Sequence, residues 1–473
     1  MILTKTGIVA TVGPACSRED ILLEMVRFGV TTFRLNFSHG TFEDHLQRLE
    51  MINRVREKIA YEICVMGDLC GPKLRIGKVD PEGQKLKPGD KVVISSECSI
   101  GSAVRFGTNY PGFVQDVHPG QRVMINDGAI VLTAEDKTAT ELHCTVVVGG
   151  VILSNKGINL PDSKLSIPAI TEKDWRWVDW AIANKLDYLA LSFVQEATEI
   201  YDLKKYLSAR DSWIRIAAKI EKPKAVDNLE SIIEAADAAL VARGDLGVEM
   251  DIADVPLVQK RITALCRKMG KPVIVATQVM QSMIENPTPT RAEASDVANA
   301  VMDFADAIML SGETAVGQYP LEAVKAVSHI CRHIESWQDK QCPDRPLIET
   351  EPGLGELAAI ARATAQMLDH VEAKLAVVWT QAGHISRLLS KARMDVPIVT
   401  ICPDVLTARQ MSLHYGVVSV RRDRPQNFDD FVETASKIVT DNQWAAQGDR
   451  VLFILPQDIL NVRTPLALVL RIL

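Results

Sequence analysis

The sequence predicts an α/β protein, a (β/α)8 TIM barrel with an inserted β-barrel-like lid domain and a C-terminal α/β domain. Three observations carry that prediction. Near-continuously apolar, β-branched runs recur eight times with helix-patterned stretches between them, as expected of parallel strands covered on both faces. The alternation is broken once, between Gly71 and Ala169, by Gly- and Pro-punctuated segments of alternating polarity. It ends near Gln338 in the polar, Pro-rich stretch DKQCPDRPLIETEPG, beyond which strand and helix patterns resume.

In chain order, the barrel runs lie at residues 7–12, 31–37, 62–67, 188–194, 214–220, 238–242, 272–277 and 307–310, with helix patterns at 20–28, 42–59, 175–184, 228–235 and 255–269. Eight βα units are what a closed parallel barrel needs. The interruption carries short alternating strands at 91–95, 121–125, 129–133 and 140–148, between KPGD, HPGQ and NDG turns. It leaves after the third barrel run and returns before the fourth. The predicted domains are therefore 1–70 and 170–337 for the barrel, 71–169 for an inserted β domain, and 338–473 for a separate α/β domain. That last domain has strand patterns at 375–380, 397–401, 417–420 and 450–455 and helix patterns at 355–368 and 429–446.

Composition excludes several classes. With 473 residues, 47% hydrophobic and 24% charged, the chain matches ordinary globular proteins rather than disordered or fibrous ones. A net charge of −7 argues against a nucleic-acid partner, which a basic surface would mark. Nor is a membrane partner expected, because no apolar run approaches the roughly 20 residues a spanning helix needs. The nine cysteines form no CxxC pair and read as reduced thiols in a reducing compartment. The N-terminus lacks signal-peptide logic, so a cytoplasmic location is expected.

Polar residues collect at the carboxyl ends of the apolar runs, the end where barrel enzymes do chemistry. The second run ends in Arg34, Asn36, Ser38 and His39, and the third in Asp68. Lys219 and Glu221 end the fifth, Arg243 and Asp245 the sixth, Thr277 and Gln278 the seventh, Ser311 and Glu313 the eighth. Each alone has a plain explanation: Asp68 as a helix cap, Lys219 with Glu221 as a structural ion pair, His39 as a turn residue, Thr277 as a β-branched strand end. Six such coincidences at one end do not, because burying charge is costly unless it is paired or used. Glu221 and Asp245 are hard oxygen ligands of the kind Mg²⁺ or Mn²⁺ takes. Arg34, Lys219 and Arg75 suit phosphate. In Ala242-Arg243-Gly244-Asp245-Leu246-Gly247 a strand runs through glycines into a helix start, offering N–H groups to an anion. Metal, cations and an anion nest together describe phosphoryl or enolate chemistry. Neither GxxxxGK(S/T) nor GxGxxG is present.

At these positions the sequence resembles the pyruvate kinase family over nearly its whole length. The carrying motifs are RLNFSHG at 34–40, AKIEK at 218–222, ARGDLGVE at 242–249, ATQVMQSMIENPTPTRAEASDVANAV at 276–301 and MLSGETAVGQYP at 309–320. The resemblance implies phosphoryl transfer from phosphoenolpyruvate to ADP, usually in a homotetramer. By position it implies that Glu221 and Asp245 hold the divalent metal and that Lys219 meets the phosphate and the enolate oxygen. Gly244, Asp245 and Thr277 would bind the substrate carboxylate, while Thr277 and Ser311 serve the final proton transfer. Arg34, His39, Arg75 and Lys156 would contact phosphate and nucleotide, with Asp127 of the lid nearby. A lyase or aldolase working through a pyruvate enolate would need the metal but no lid; a non-catalytic relative would not need Lys219, Glu221, Asp245 and Thr277.

The sequence also departs from the family. Gly7 stands where many members have Lys, and the segment usually Asp-Thr-Lys-Gly-Pro-Glu reads Asp68-Leu69-Cys70-Gly71-Pro72-Lys73. Asn36, Ser38 and Asp68 correspond to the family's monovalent-cation region. Leu69 removes a hydroxyl there, and Lys73 brings an ammonium that can orient Asp68 in place of K⁺, so K⁺ is not expected to be required. Thr380 to Arg387 and Asn461 to Pro465 match the family's effector loops loosely, and fructose-bisphosphate activation is not expected.

Overall fold

The computed structural model describes residues 4–341, 355–456 and 466–473. Eight parallel strands, β1 (Gly7–Thr11), β2 (Val30–Asn36), β3 (Cys64–Asp68), β4 (Tyr188–Leu191), β5 (Arg215–Ile220), β6 (Ala238–Ala242), β7 (Val273–Ala276) and β8 (Ala307–Leu310), pair with their sequence neighbours, and the pairing of Gly7 with Ala307 closes the barrel. The interior is filled by Ala190, Ala217, Ala238, Leu240, Ala276 and Ile274 among others, while the outward faces of the same strands join the larger core under the helices. That two-sided burial is why the strands read as unbroken apolar runs. β4 stops at Leu191 rather than 194, because Phe193 turns into the left-handed region at φ 57°. Glycine at position 7 has a local reason: a Cβ there would lie 2.6 Å from Thr31 Oγ1.

The lid departs after β3 and returns before the helix Glu172–Ala183. It is an open six-stranded sheet, running from Ile158–Asn159 through Arg122–Ile125, Ile130–Lys137, Glu141–Val148 and Lys91–Ser95 to Arg105–Phe106, with two two-stranded ribbons beside it. Its core, including Phe106, Phe113, Val123, Leu132 and Leu142, is separate from that of the barrel.

The last barrel helix, Pro320–Gln341, runs past the predicted boundary at 337. The C-terminal domain has a five-stranded sheet, ordered Val417–Arg421, Ile398–Cys402, Leu375–Trp379, Arg450–Pro456 and Leu466–Ile472, parallel except for the last strand. The loop Asn461 to Pro465 and most of the polar linker lie outside the described residues. This domain closes the amino mouth of the barrel: Leu413 enters the interior cluster, Lys391 Nζ lies 2.5 Å from Asp306 Oδ2 just before β8, and both side chains are fully buried. Arg393 adds a second cation 3.3 Å from Asp306 Oδ1. Among the described residues no helix is long and apolar enough to cross a membrane, and the described cysteines are all free, most of them buried.

Candidate active site

At the opposite mouth, β2, β3 and β5 end in one charged cluster. Arg34 donates from Nε to Asp68 Oδ2 at 2.7 Å and from a terminal nitrogen to Thr11 Oγ1 at 2.9 Å. Lys219 Nζ lies 2.8 Å from Glu221 Oε1 and 3.3 Å from Asp68 Oδ1, and donates to Ser192 Oγ at 2.7 Å. The second Glu221 oxygen accepts the Phe193 N–H at 2.8 Å. Burial works against the Lys219 charge, but Asp68 and Glu221 outweigh it and raise its pKa above the ordinary lysine value. Burial likewise pushes Asp68 up, and Lys219 with Arg34 more than offsets this, leaving it below the usual carboxylate range. Lys219 is thus a fixed cation at neutral pH. It can stabilise a developing negative charge, and it cannot serve as a base.

Asp245 differs. Burial, then the charge of Glu221, push its carboxyl up to about 6, against the downward pull of Lys219 and Lys73. Two hard oxygen donors fit Mg²⁺ or Mn²⁺, which keep several positions for water and substrate oxygens; among the described residues no cluster of three or more His, Cys, Asp or Glu offers a fuller cage.

Beyond β6 the chain enters the short helix Arg243–Glu249, and the Gly244 N–H is not left free: it donates to Thr277 Oγ1 at 2.8 Å. Thr277 and Gln278 sit consecutively in the left-handed region, at φ 63° and 52°. For a β-branched residue this conformation costs on the order of 1–3 kcal/mol and persists only where neighbours over-determine it. Here Arg243 does so, donating to Thr277 O at 3.0 Å and to Asp296 Oδ1 at 2.6 Å. Glu313 props the next strand end, taking the Ser311 N–H at 2.7 Å and the Met280 N–H at 3.0 Å. Arg243 and Glu313 therefore hold the turns that present Thr277 and Ser311.

Between lid and barrel lies a cleft of about 300 Å³ lined by Lys73, Arg75, Asp127, Lys156, Lys222 and Asp245 among others. Arg75 is anchored to Asn155 O at 2.7 Å. The lid meets the barrel where Asn159 Nδ2 donates to Glu249 Oε1 at 2.8 Å, beside Lys222 at 2.6 Å from the same oxygen. His39 borders this cationic region: burial, then Lys73, Arg34 and Arg75, lower its pKa.

Residues 3–324 match the family described as pyruvate kinase, barrel domain, and residues 358–457 match its alpha/beta domain. The chain belongs to the pyruvate kinase family. It is 37% identical over 452 residues to a pyruvate kinase of Geobacillus stearothermophilus, covering 95% of this chain and 77% of that protein. It is 38% identical over 455 residues to one of Mycobacterium tuberculosis, covering 96% and 95%. A solved pyruvate kinase from Cryptosporidium parvum superposes with a TM-score of 0.91 at 31% identity, covering 99% of this chain and 96% of the other. Pyruvate kinases are phosphotransferases of glycolysis that use a divalent metal, and this chain is such an enzyme.

Most residues singled out in the sequence come together at this mouth: Arg34, Asp68, Lys219 and Glu221 in one cluster, Asp245 electrostatically joined to it, Gly244 bonded to Thr277. Asn36 is engaged locally, its Oδ1 accepting the Ser38 N–H at 3.2 Å. One expectation fails in detail. The carboxylate of Asp68 is held by Arg34 and Lys219, whereas Lys73 is exposed on the cleft, where its charge opposes the upward shift of Asp245. Sequence reading missed Ser192, hidden in a run taken as strand to 194, and Thr11, hidden in the first run. A short polar residue in the last positions of each strand was the available signal.

Proposed function

We propose that this chain transfers the phosphoryl group of phosphoenolpyruvate to ADP with Glu221 and Asp245 as the protein ligands of Mg²⁺ or Mn²⁺. The observation that supports this most strongly is the cluster at the carboxyl mouth, where Lys219 Nζ lies 2.8 Å from Glu221 Oε1 and 3.3 Å from Asp68 Oδ1, itself bonded to Arg34, with Asp245 just past the end of the next strand. When bound, the metal would neutralise negative charge on the substrate. Lys219 lies against the phosphoryl group as the enol oxygen–phosphorus bond breaks and the bond to the ADP oxygen forms, and it then balances the enolate charge. Arg34 holds phosphate; Gly244, Asp245 and Thr277 receive the substrate carboxylate, the Gly244 N–H giving up its bond to Thr277 Oγ1 for one to the carboxylate; Thr277 and Ser311 order the donor that protonates the enolate carbon. Across the cleft, His39, Arg75 and Lys156 meet the nucleotide. Such a site works by positioning and charge neutralisation.

The test is Glu221→Ala and Asp245→Ala, each expected to abolish metal-dependent ATP formation while circular dichroism stays native; wild-type turnover in either would remove the metal assignment. A lyase without nucleotide chemistry would show no ATP in the same assay.

K⁺ independence belongs to the same proposal. Lys73 brings a tethered ammonium to the cleft, on the side of Asp245 rather than Asp68. Initial rates in K⁺-free buffer with tetramethylammonium are expected to change little on adding KCl at constant ionic strength. A rise above about tenfold, some 1.4 kcal/mol of barrier, would show that the ion is needed. A homotetramer in the cytoplasm, with little response to fructose 1,6-bisphosphate, completes the proposal.

A further inference from the structure

The side chain of Asp174 is fully buried and lies in the first turn of the helix Glu172–Ala183, the first element after the lid. One of its oxygens belongs to an ordinary capping box: Oδ2 accepts the Thr171 N–H at 3.0 Å and the Thr171 hydroxyl at 2.5 Å, while the Asp174 N–H donates to Thr171 Oγ1 at 3.2 Å. The other oxygen reaches across the hinge. Oδ1 accepts the Cys70 N–H at 2.9 Å and the Gly71 N–H at 3.3 Å, in the irregular segment after β3 by which the chain enters the lid more than a hundred residues earlier. Helix capping needs neither of these bonds. Among the described residues the equivalent residue of the helix Phe42–Arg56, Asp44, accepts from its own cap alone, the Thr41 N–H at 2.8 Å. A single carboxylate thus joins the outgoing and returning chains of the lid.

The outgoing stub is tied to the active site on its other side. Ser192 Oγ donates to Leu69 O at 2.7 Å and accepts from Lys219. Gly71, in the left-handed region at φ 62°, lies so close to Phe193 that a Cβ would fall 2.6 Å from its ring, and the Phe193 N–H holds Glu221. Two short paths therefore lead from the hinge to the chemistry: Leu69 through Ser192 to Lys219, and Gly71 through Phe193 to Glu221.

We infer that Asp174 is a positioning residue, the pin on which the lid pivots and by which the hinge fixes Ser192 and Phe193 behind Lys219 and Glu221. This rests on the active-site reading above. Asp174→Asn offers one acceptor oxygen in place of two, so it can serve the outgoing chain or the cap, not both. Expected for it are a kcat at least tenfold lower, a KM for ADP at least threefold higher, and faster hydrogen–deuterium exchange of the Cys70 and Gly71 amides. Thr171→Val strips the cap while leaving Oδ1 on the hinge, and Asn427→Ala removes a remote cap in the C-terminal domain, where Asn427 Oδ1 accepts from the Asp430 N–H. Both are expected to lower Tm with kcat and KM within about twofold of wild type. The inference is overturned if Asp174→Asn loses only Tm, like the two cap variants. Fast exchange of the Cys70 and Gly71 amides in the unliganded wild-type enzyme overturns it too, and needs no variant to fold. Exchange reads the pin without turnover, so slow wild-type exchange in a chain that forms no ATP would fault the active-site reading and leave the pin standing.

Discussion

At the amino mouth of the barrel, Asp306 has Lys391, Arg393 and the Val273 and Tyr415 N–H groups around it, and the C-terminal domain seals the assembly from water. The carboxyl mouth carries the same residue types, Arg34, Asp68, Lys219 and Glu221, yet its charges stop short of balance at Asp245 and face a cleft. Both clusters are buried and both incur desolvation. At one end the charges satisfy each other; at the other they leave a place for a cation and an anion to complete them. Buried charge by itself therefore does not mark a site. Incomplete compensation beside an opening does.

Breaking the sealed end should have the largest effect, and on stability alone. Lys391→Met leaves Asp306 with Arg393 as its remaining cation. Loss of one partner of a buried pair typically costs about 3–5 kcal/mol, to be read from denaturant unfolding, and the folded fraction should keep wild-type kcat. A marked loss of kcat without loss of stability would mean the two mouths are not independent. Lys219→Met is the mirror experiment. It strips a cation from the buried carboxylates Asp68 and Glu221, so it too should lower stability, but here the folded fraction also loses kcat by roughly 10² to 10³, the scale for one preorganised electrostatic contact. If only KM rises, Lys219 binds substrate without stabilising the transition state.

The smallest effect sharpens the contrast through pH. His414 sits in the sealed end with neither ring nitrogen hydrogen-bonded among the described residues, and burial, then the charges of Lys391 and Arg215, push its pKa well below 6.5. In the unfolded chain it takes up a proton as pH falls through 6.5, while the native protein does not, so the unfolded state binds more protons and stability drops with acid. The slope from this one group is at most about 1.4 kcal/mol per pH unit below 6.5. His414→Leu should flatten the loss of stability between pH 6.5 and 5.5. An unchanged slope would place the titrating group elsewhere.

The barrel was legible because doubly covered parallel strands must be apolar throughout, and the carboxyl mouth because polar residues at six strand ends, charged at five of them, have no structural economy. Other features were hidden by their locality. Asp174 three residues after Thr171 reads as a helix start, and nothing in the sequence near it announces a bond to Cys70. Arg243 was read only as one of the polar residues at the strand ends, whereas it braces Thr277 and pairs with Asp296, a role that no spacing reveals. Leu413, Lys391 and His414 look like parts of an ordinary domain until the barrel mouth is placed over them.

The split of the barrel around the lid also orders its synthesis. Gly7 pairs with Ala307, so β1 leaves the ribosome with its partner on one side still some 300 residues away, about 15 to 60 s at ordinary elongation rates. The lid, with a core of its own, is complete well before that, and Leu413 arrives later still. A nascent chain thus carries β1 to β3 as an unclosed half-sheet with exposed edges during that interval, the period in which a chaperone has most to protect.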